Sequence, residues 1–167
     1  ALSGKLLHTL REEHALVYSA KIDTDYYEHM GNFTFRTQTD PKKLLRSPGL
    51  LPLLISIIND LISNGVTEKE VQTAKGSMKG NMLLKLEHIT QQTIYNGEKA
   101  LMGEDPLSIV PYKDLYERCF HKITKQDIDA AIQKYFRKEN MGVCLMGEKL
   151  PSLKTIQMEC EKLGQMK

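Results

Sequence analysis

At 167 residues the chain is long enough to bury a sizeable core, and it is expected to be a single domain over residues 1–167. Charged residues make up 26% and balance to a net charge of +2, so no strong electrostatic pull toward nucleic acid or an anionic membrane is written into it. It contains no apolar run of bilayer-spanning length and no visible N-terminal signal pattern, so membrane and nucleic-acid partners are not expected.

The first residue is Ala rather than Met and lies close to an apparent helix, so the chain is expected to be a piece of something longer. A helix is predicted over Ser3 to about Glu13, with Leu6, Leu7 and Leu10 on one stripe. A β-prone alternating run follows from Leu16, giving a strand to about Asp25 that carries Tyr18. By spacing alone, Arg11 reads as a cation complementing a helix C-terminus and Tyr18 as a half-buried strand residue. A tight helix-to-strand turn can also point both side chains toward one end of the sheet.

Polar residues Tyr26 to Gly31 predict a hairpin connection, and Asn32–Thr37 a second strand with one buried face. Asp40-Pro41 caps a short helical turn that Ser47-Pro48-Gly49 interrupts. The apolar spacing Leu51, Leu54, Ile55, Ile58, Leu61 and Ile62 predicts a largely buried helix to Ser63, closed by Asn64-Gly65. Thr67-x-x-Glu70 is a capping box. The helix it opens carries the stripe Val71, Ala74, Met78, Met82, Leu86 and Ile89, with Gly76 and Gly80 placed for close packing.

A looser helical stretch is predicted to Met102. Pro106-Leu107 then leads into a short helix near Pro111 to Phe120. Thr124-x-x-Asp127 opens a further helix whose expected buried face is Ile128, Ala131, Ile132, Tyr135 and Phe136. Met141–Met146 reads as a short buried strand, and Pro151 to Leu163 as a last helix with Leu153, Ile156 and Cys160 inward. The order predicts an α+β fold, helices gathered on one face of an antiparallel sheet, with an N-terminal strand missing. Cys119, Cys144 and Cys160 lack metal-ligand spacing and read as free, buried thiols. They lean toward a reducing compartment, which the sequence otherwise leaves open. The eight methionines read as core fillers.

Catalytic patterns are sparse. Asp25-Tyr26-Tyr27-Glu28-His29 imitates half of a His-x-x-Glu-His zinc motif, but Asp25 stands where the first His belongs and the stretch is a turn, not a helix. His8 and His14 are six residues apart and share no ligand face. Glu12-Glu13 reads as a solvated face, since adjacent helical residues diverge. No metal or cofactor ligand set is expected on this chain. Gly-x-Ser-x-Gly and phosphate-loop motifs do not occur, and the lysines lack the stacking aromatics of a nucleic-acid surface.

Leu10-Arg11-Glu12, three residues, then Leu16-Val17-Tyr18-Ser19 resembles the opening of the second domain of pitrilysin/insulinase-type (M16) zinc peptidases. There a helix ending in Leu-Arg-Glu-Lys leads into Gly-Leu-Ala-Tyr-Ser. Ala15 stands where that family has Gly. Further along, Thr39-Asp40-Pro41-Lys42-Lys43, Gly65-Val66-Thr67-x-x-Glu70 and Ala74-Lys75-x-x-x-Lys79-Gly80-x-x-Leu83 resemble family segments in the same order. So do Pro106-Leu107, Ile123-Thr124-x-x-Asp127-Ile128 and the expected strand before Gly147. Leu45–Leu51 looks like an insertion, and the strand and helix that normally precede the opening motif are not complete.

The resemblance implies a partial C-terminal domain of a zinc metalloendopeptidase. In that family zinc lies in one half of a clam-like enclosure and the second half closes over it. Arg11 and Tyr18 would then be the catalytic pair that helps bind the substrate carbonyl, with zinc held elsewhere in the parent enzyme and not by this chain. The implied partners are a peptide or unfolded polypeptide substrate and a zinc-bearing N-terminal half or partner subunit. This fragment alone is expected to be inactive. The alternative is a non-catalytic scaffold or substrate-recognition subunit of a heteromeric complex; blander still is an unrelated α+β interaction module.

Overall fold

The structure, a computed structural model, describes residues 2–105 and 107–165. It divides into two units: the chain up to Gly65 together with the stretch from Asp129 onward, and Val66–Ile128 between them.

In the first unit the predicted N-terminal helix forms in two parts, α1 (Leu2–Leu7) and a π-helical stretch, His8–Glu13. Leu6 and Leu10 on its apolar stripe are buried, Leu10 completely. The chain then reverses at Ala15, which takes a positive φ of 46°. Leu16 and Val17 are both buried, so the inside–outside alternation of a strand fails there. Strand β1 (Ala20–Tyr26) therefore begins later than expected, where Ala20 meets Thr37 of β2 (Gly31–Thr37) in an antiparallel pair. Tyr18 precedes the strand instead of lying on it. The hairpin is closed by the Tyr27 N–H donating to the Met30 carbonyl at 2.8 Å.

Ile22 and Phe35 are directly opposite one another and pack into the core, while Lys21 and Arg36 lie opposite one another and exposed on the other face. Asp40 caps α2 (Pro41–Leu44) by accepting from the Lys42 N–H, and Leu44 is buried. Gly49 ends the break: a Cβ there would fall 2.2 Å from the Arg46 carbonyl oxygen. Helix α3 (Leu50–Asn64) buries Leu50, Leu51, Ile55 and Ile57 and stops at Gly65, whose φ of 66° favours glycine. These residues join Leu6, Leu10, Leu16, Val17, Leu44 and Leu163 in one cluster against which Ala20, Ile22 and Phe35 pack. The fold class is α+β, as the sequence predicts.

Met141–Met146 is not a strand. Val143, Cys144 and Met146 are exposed, and Met141 and Leu145 are half-buried against the core. An apolar run becomes a strand only with a ladder partner for its backbone, and among the described residues the sheet has two strands, β1 and β2. The final helix, α7 (Leu153–Cys160, in this unit), starts at Ser152; Leu153 faces solvent and Leu163, just past the helix, supplies the buried contact.

In the second unit, Thr67 and Glu70 form the predicted capping box of α4 (Glu68–Leu86). Val71 is buried, but Met78 and Ile89 are exposed, and a Cβ on Gly76 or Gly80 would meet nothing within 4 Å. Ala74 and Met82 are half-buried and the Leu86 side chain lies outside the described residues, so the expected stripe forms only in part and the close glycine packing does not form. Helix α5 (Ile89–Leu101) buries none of its residues. Pro106 lies outside the described residues; beyond it, a 3-10 turn (Tyr112–Asp114) and a π-helical turn (Tyr116–Phe120) replace the short helix. Here Tyr95 and Tyr112 meet edge to face with centroids 5.4 Å apart, and Tyr116 is buried.

Thr124 and Asp127 open α6 (Lys125–Tyr135), each bonding the other's backbone N–H. Of the expected apolar face, Ile132 is buried, Ile128 and Phe136 are half-buried, and Ala131 and Tyr135 are exposed. All three thiols are free, but Cys119 and Cys144 are exposed, contrary to the expected burial. Met30, Met78, Met102, Met146 and Met158 are likewise exposed rather than core fillers. No single helix among the described residues is long and apolar enough to cross a membrane.

Candidate functional site

The sequence singles out Arg11 and Tyr18, and the structure brings them together. Arg11 lies in the π-helical stretch, near its C-terminal end. A π turn is wider than an α turn and recurs at functional positions. The Ala15 and Leu16 N–H groups donate back to the Arg11 and Leu10 carbonyls at 3.1 and 2.8 Å, folding the chain over the helix end. Leu16 and Val17 anchor the returning segment in the core, and Tyr18 emerges from it 85% exposed. The Arg11 guanidinium carbon then stands 5.6 Å from the centre of the Tyr18 ring, a cation–π contact worth about 0.5–1 kcal/mol when exposed.

The contact uses the face of the ring and leaves the polar edges of both groups free. Neither side chain has a hydrogen bond or ion pair among the described residues. A guanidinium with five N–H donors and a phenolic O–H are therefore presented together to solvent. Such a pair can bind an oxygen that carries or develops negative charge. Arg11 lies in the last turn of its helical stretch, as the spacing predicts, whereas Tyr18 is not a half-buried strand residue: it precedes β1 and is exposed.

A second cluster flanks this pair. His8 Nδ1 is 2.5 Å from Glu12 Oε2, and its Nε2 is 3.4 Å from Glu13 Oε1. The π-helical spacing puts the residues four and five positions on within reach of one imidazole. The hydrogen bond to Glu12, then the charges of Glu12 and Glu13, raise the His8 pKa above its ordinary value. The i, i+4 spacing of His8 and Glu12 was a legible signal for the first contact; the second depends on the π turn.

Among the described residues, no group of three His, Cys, Asp or Glu side chains is placed to hold a metal ion. The Asp25–His29 stretch ends in a turn where His29 faces Glu28 at 3.9 Å. Zinc therefore finds no ligand set in the described residues. An open cleft in the second unit, lined by Glu68, Lys75, His121 and Thr124 among others, contains neither Arg11 nor Tyr18. There Lys75 is engaged with the His121 carbonyl at 2.7 Å.

Residues 1–78 match the family model described as the Peptidase M16 inactive domain. The chain is 28% identical over 102 residues to a Bacillus subtilis (strain 168) protein named "Uncharacterized zinc protease YmxG", covering 61% of this chain and 24% of that protein. It is 21% identical over 148 residues to "Uncharacterized zinc protease Rv2782c" of Mycobacterium tuberculosis, 87% of this chain and 32% of the relative. A Mycobacterium leprae protein, "Uncharacterized zinc protease ML0855", is 22% identical over the same length, covering 87% and 31%. The chain thus spans about a quarter to a third of the length of the curated relatives it matches. Over residues 1–78 the match is consistent with the resemblance to the zinc-ligand-free M16 domain.

Proposed function

We propose that this chain, matched over its first 78 residues by the M16 inactive domain, is part of a zinc metalloendopeptidase in which it encloses a peptide substrate and steadies the scissile carbonyl. In this reading zinc and the general base belong to another segment or subunit. The observation that carries the reading is the apposition of Arg11 and Tyr18, 5.6 Å apart and both with unengaged donors. As a peptide carbonyl becomes tetrahedral, its oxygen gains negative charge. Donors aimed at that oxygen bind the transition state more strongly than the ground state, and this difference is what accelerates the reaction.

The two groups are complementary. The guanidinium offers a planar fork of N–H donors, and the phenol adds one O–H donor and a ring face that steadies the guanidinium. Removing one donor of this type costs on the order of 10²–10³ in rate. The test is cleavage of unstructured peptides by the intact protein, with Arg11→Ala and Tyr18→Phe compared at equal folding. Both variants are expected to lose on the order of 10²–10³ in kcat, and this chain by itself to cleave nothing. Intact protein that is inert with zinc supplied would leave the scaffold or recognition-subunit reading in its place.

A further inference from the structure

The segment carrying Tyr18 is held from a second direction. Three side chains from the end of β2 and the start of α2 donate to carbonyls between Ala15 and Ser19. Lys43 Nζ reaches the Ala15 oxygen at 2.8 Å, Thr39 Oγ1 the Leu16 oxygen at 2.7 Å, and Thr37 Oγ1 the Ser19 oxygen at 2.6 Å. Tyr18 lies inside the span these bonds cover. Its own backbone is not in a strand, so no ladder fixes it.

The donors themselves are well anchored. Asp40 accepts from the Lys42 N–H and its carbonyl from the Lys43 N–H, both at 2.8 Å, and buried Leu44 pins α2 to the core. Thr37 is paired in the sheet opposite Ala20. The Thr39 bond is part-buried, which keeps it less open to competition from water than the exposed Lys43 bond. The bonds also fall on Ala15 and its successor, next to the one reversal in this segment that an L-residue makes reluctantly. Without them, the turn has reason to relax and Tyr18 to move off Arg11.

We propose that Thr39 and Lys43 are positioning residues that hold the Ala15–Ser19 turn, and so Tyr18, in register with Arg11 for carbonyl binding. The proposal rests on the carbonyl-binding reading of that pair. Misplacing a catalytic group by about 1 Å can cost 10²-fold. In the intact protein, Thr39→Val keeps the side-chain shape and removes the donor, and Lys43→Met keeps the stem and removes the ammonium. Each is expected to lower kcat by roughly tenfold to 10²-fold with KM little changed, and to speed amide hydrogen exchange of Val17–Ser19. Thr39→Ser and Lys43→Arg, which retain donors, are expected to restore most of both.

The two layers separate in the data. If Arg11→Ala and Tyr18→Phe leave cleavage untouched, the carbonyl-binding reading fails, and exchange in the turn still reports whether Thr39 and Lys43 hold it. If those two variants slow cleavage while Thr39→Val and Lys43→Met change neither kcat nor exchange, the positioning proposal alone is overturned. Equal losses in Thr39→Val and Thr39→Ser would also overturn it, because the hydroxyl would then not matter.

Discussion

The two units of the chain are ordered by different means. The first contains most of the buried side chains: Leu6, Leu10, Leu16, Val17, Leu44, Leu50, Leu51, Ile55 and Ile57 form a continuous dry cluster with Leu163. The second buries Val71 and Tyr116 and exposes Leu83, Leu84, Ile89, Leu101 and Leu107. Hydrogen bonds hold it instead: the local Thr67–Glu70 box and Thr124–Asp127 cap, and the longer-range Tyr95 O–H to the Val110 carbonyl and Lys75 to the His121 carbonyl. The Arg11–Tyr18 pair belongs to the unit with the core. A pair of donors gains catalytic value only if its placement is fixed before substrate arrives, and close-packed side chains fix position better than solvent-exposed hydrogen bonds do.

Core truncation should separate the units most sharply. Leu10→Ala removes a fully buried side chain and is expected to cost about 2–5 kcal/mol in denaturant unfolding. Leu101→Ala in the second unit, at an exposed position, should stay within about 0.5 kcal/mol. Similar losses at the two sites would erase the distinction.

Next in size is the cap. Thr67→Ala removes the hydroxyl that accepts from the Glu70 N–H, while the Thr67 N–H to Glu70 carboxylate half of the α4 box remains; it is expected to cost about 0.5–2 kcal/mol, read as faster amide exchange confined to the first turns of that helix. A smaller effect of opposite sign is expected at the reversal before Tyr18. Ala15 has a φ of 46°, so Ala15→Gly should stabilise by about 1 kcal/mol and leave kcat unchanged. Destabilisation by Ala15→Gly would mean that the turn relaxes away from that conformation.

The smallest effect is electrostatic. His8 is raised above its ordinary pKa by Glu12 and Glu13, so its protonated form binds better in the folded state than in the unfolded one. That contribution is fully present below the unfolded pKa of about 6.5 and is lost as pH rises through the folded value. Melting temperature followed across this window should fall with rising pH more in the native chain than in His8→Gln. Parallel curves would remove the His8 contribution.

Much of the first unit was legible because its signals are local and redundant. The Leu6–Leu10 stripe, Asp40-Pro41, Asn64-Gly65 and the alternating Phe33–Phe35 strand each specify a short stretch by sterics or hydrogen bonding alone. The Met141–Met146 reading failed for the opposite reason, since strand formation depends on a neighbour that a sequence window cannot contain. Helix α4 misled differently: Val71, Met78 and Met82 have the right period, but burial needs an opposing surface. At the candidate site, Arg11 and Tyr18 were readable as a spaced pair. The π-helical widening, the positive φ at Ala15 and the bonds from Thr39 and Lys43 were not, because each depends on segments that meet only in the fold.

The central claim concerns Arg11 and Tyr18 acting on one oxygen, and a double-mutant cycle of peptide cleavage by the intact protein tests it most directly. Arg11→Ala and Tyr18→Phe should each slow kcat by on the order of 10²–10³. Because groups acting as a unit are not additive, the double variant should be far less impaired than the product of the two losses. Single variants that cleave as fast as the native protein, with the fold intact, would contradict the account.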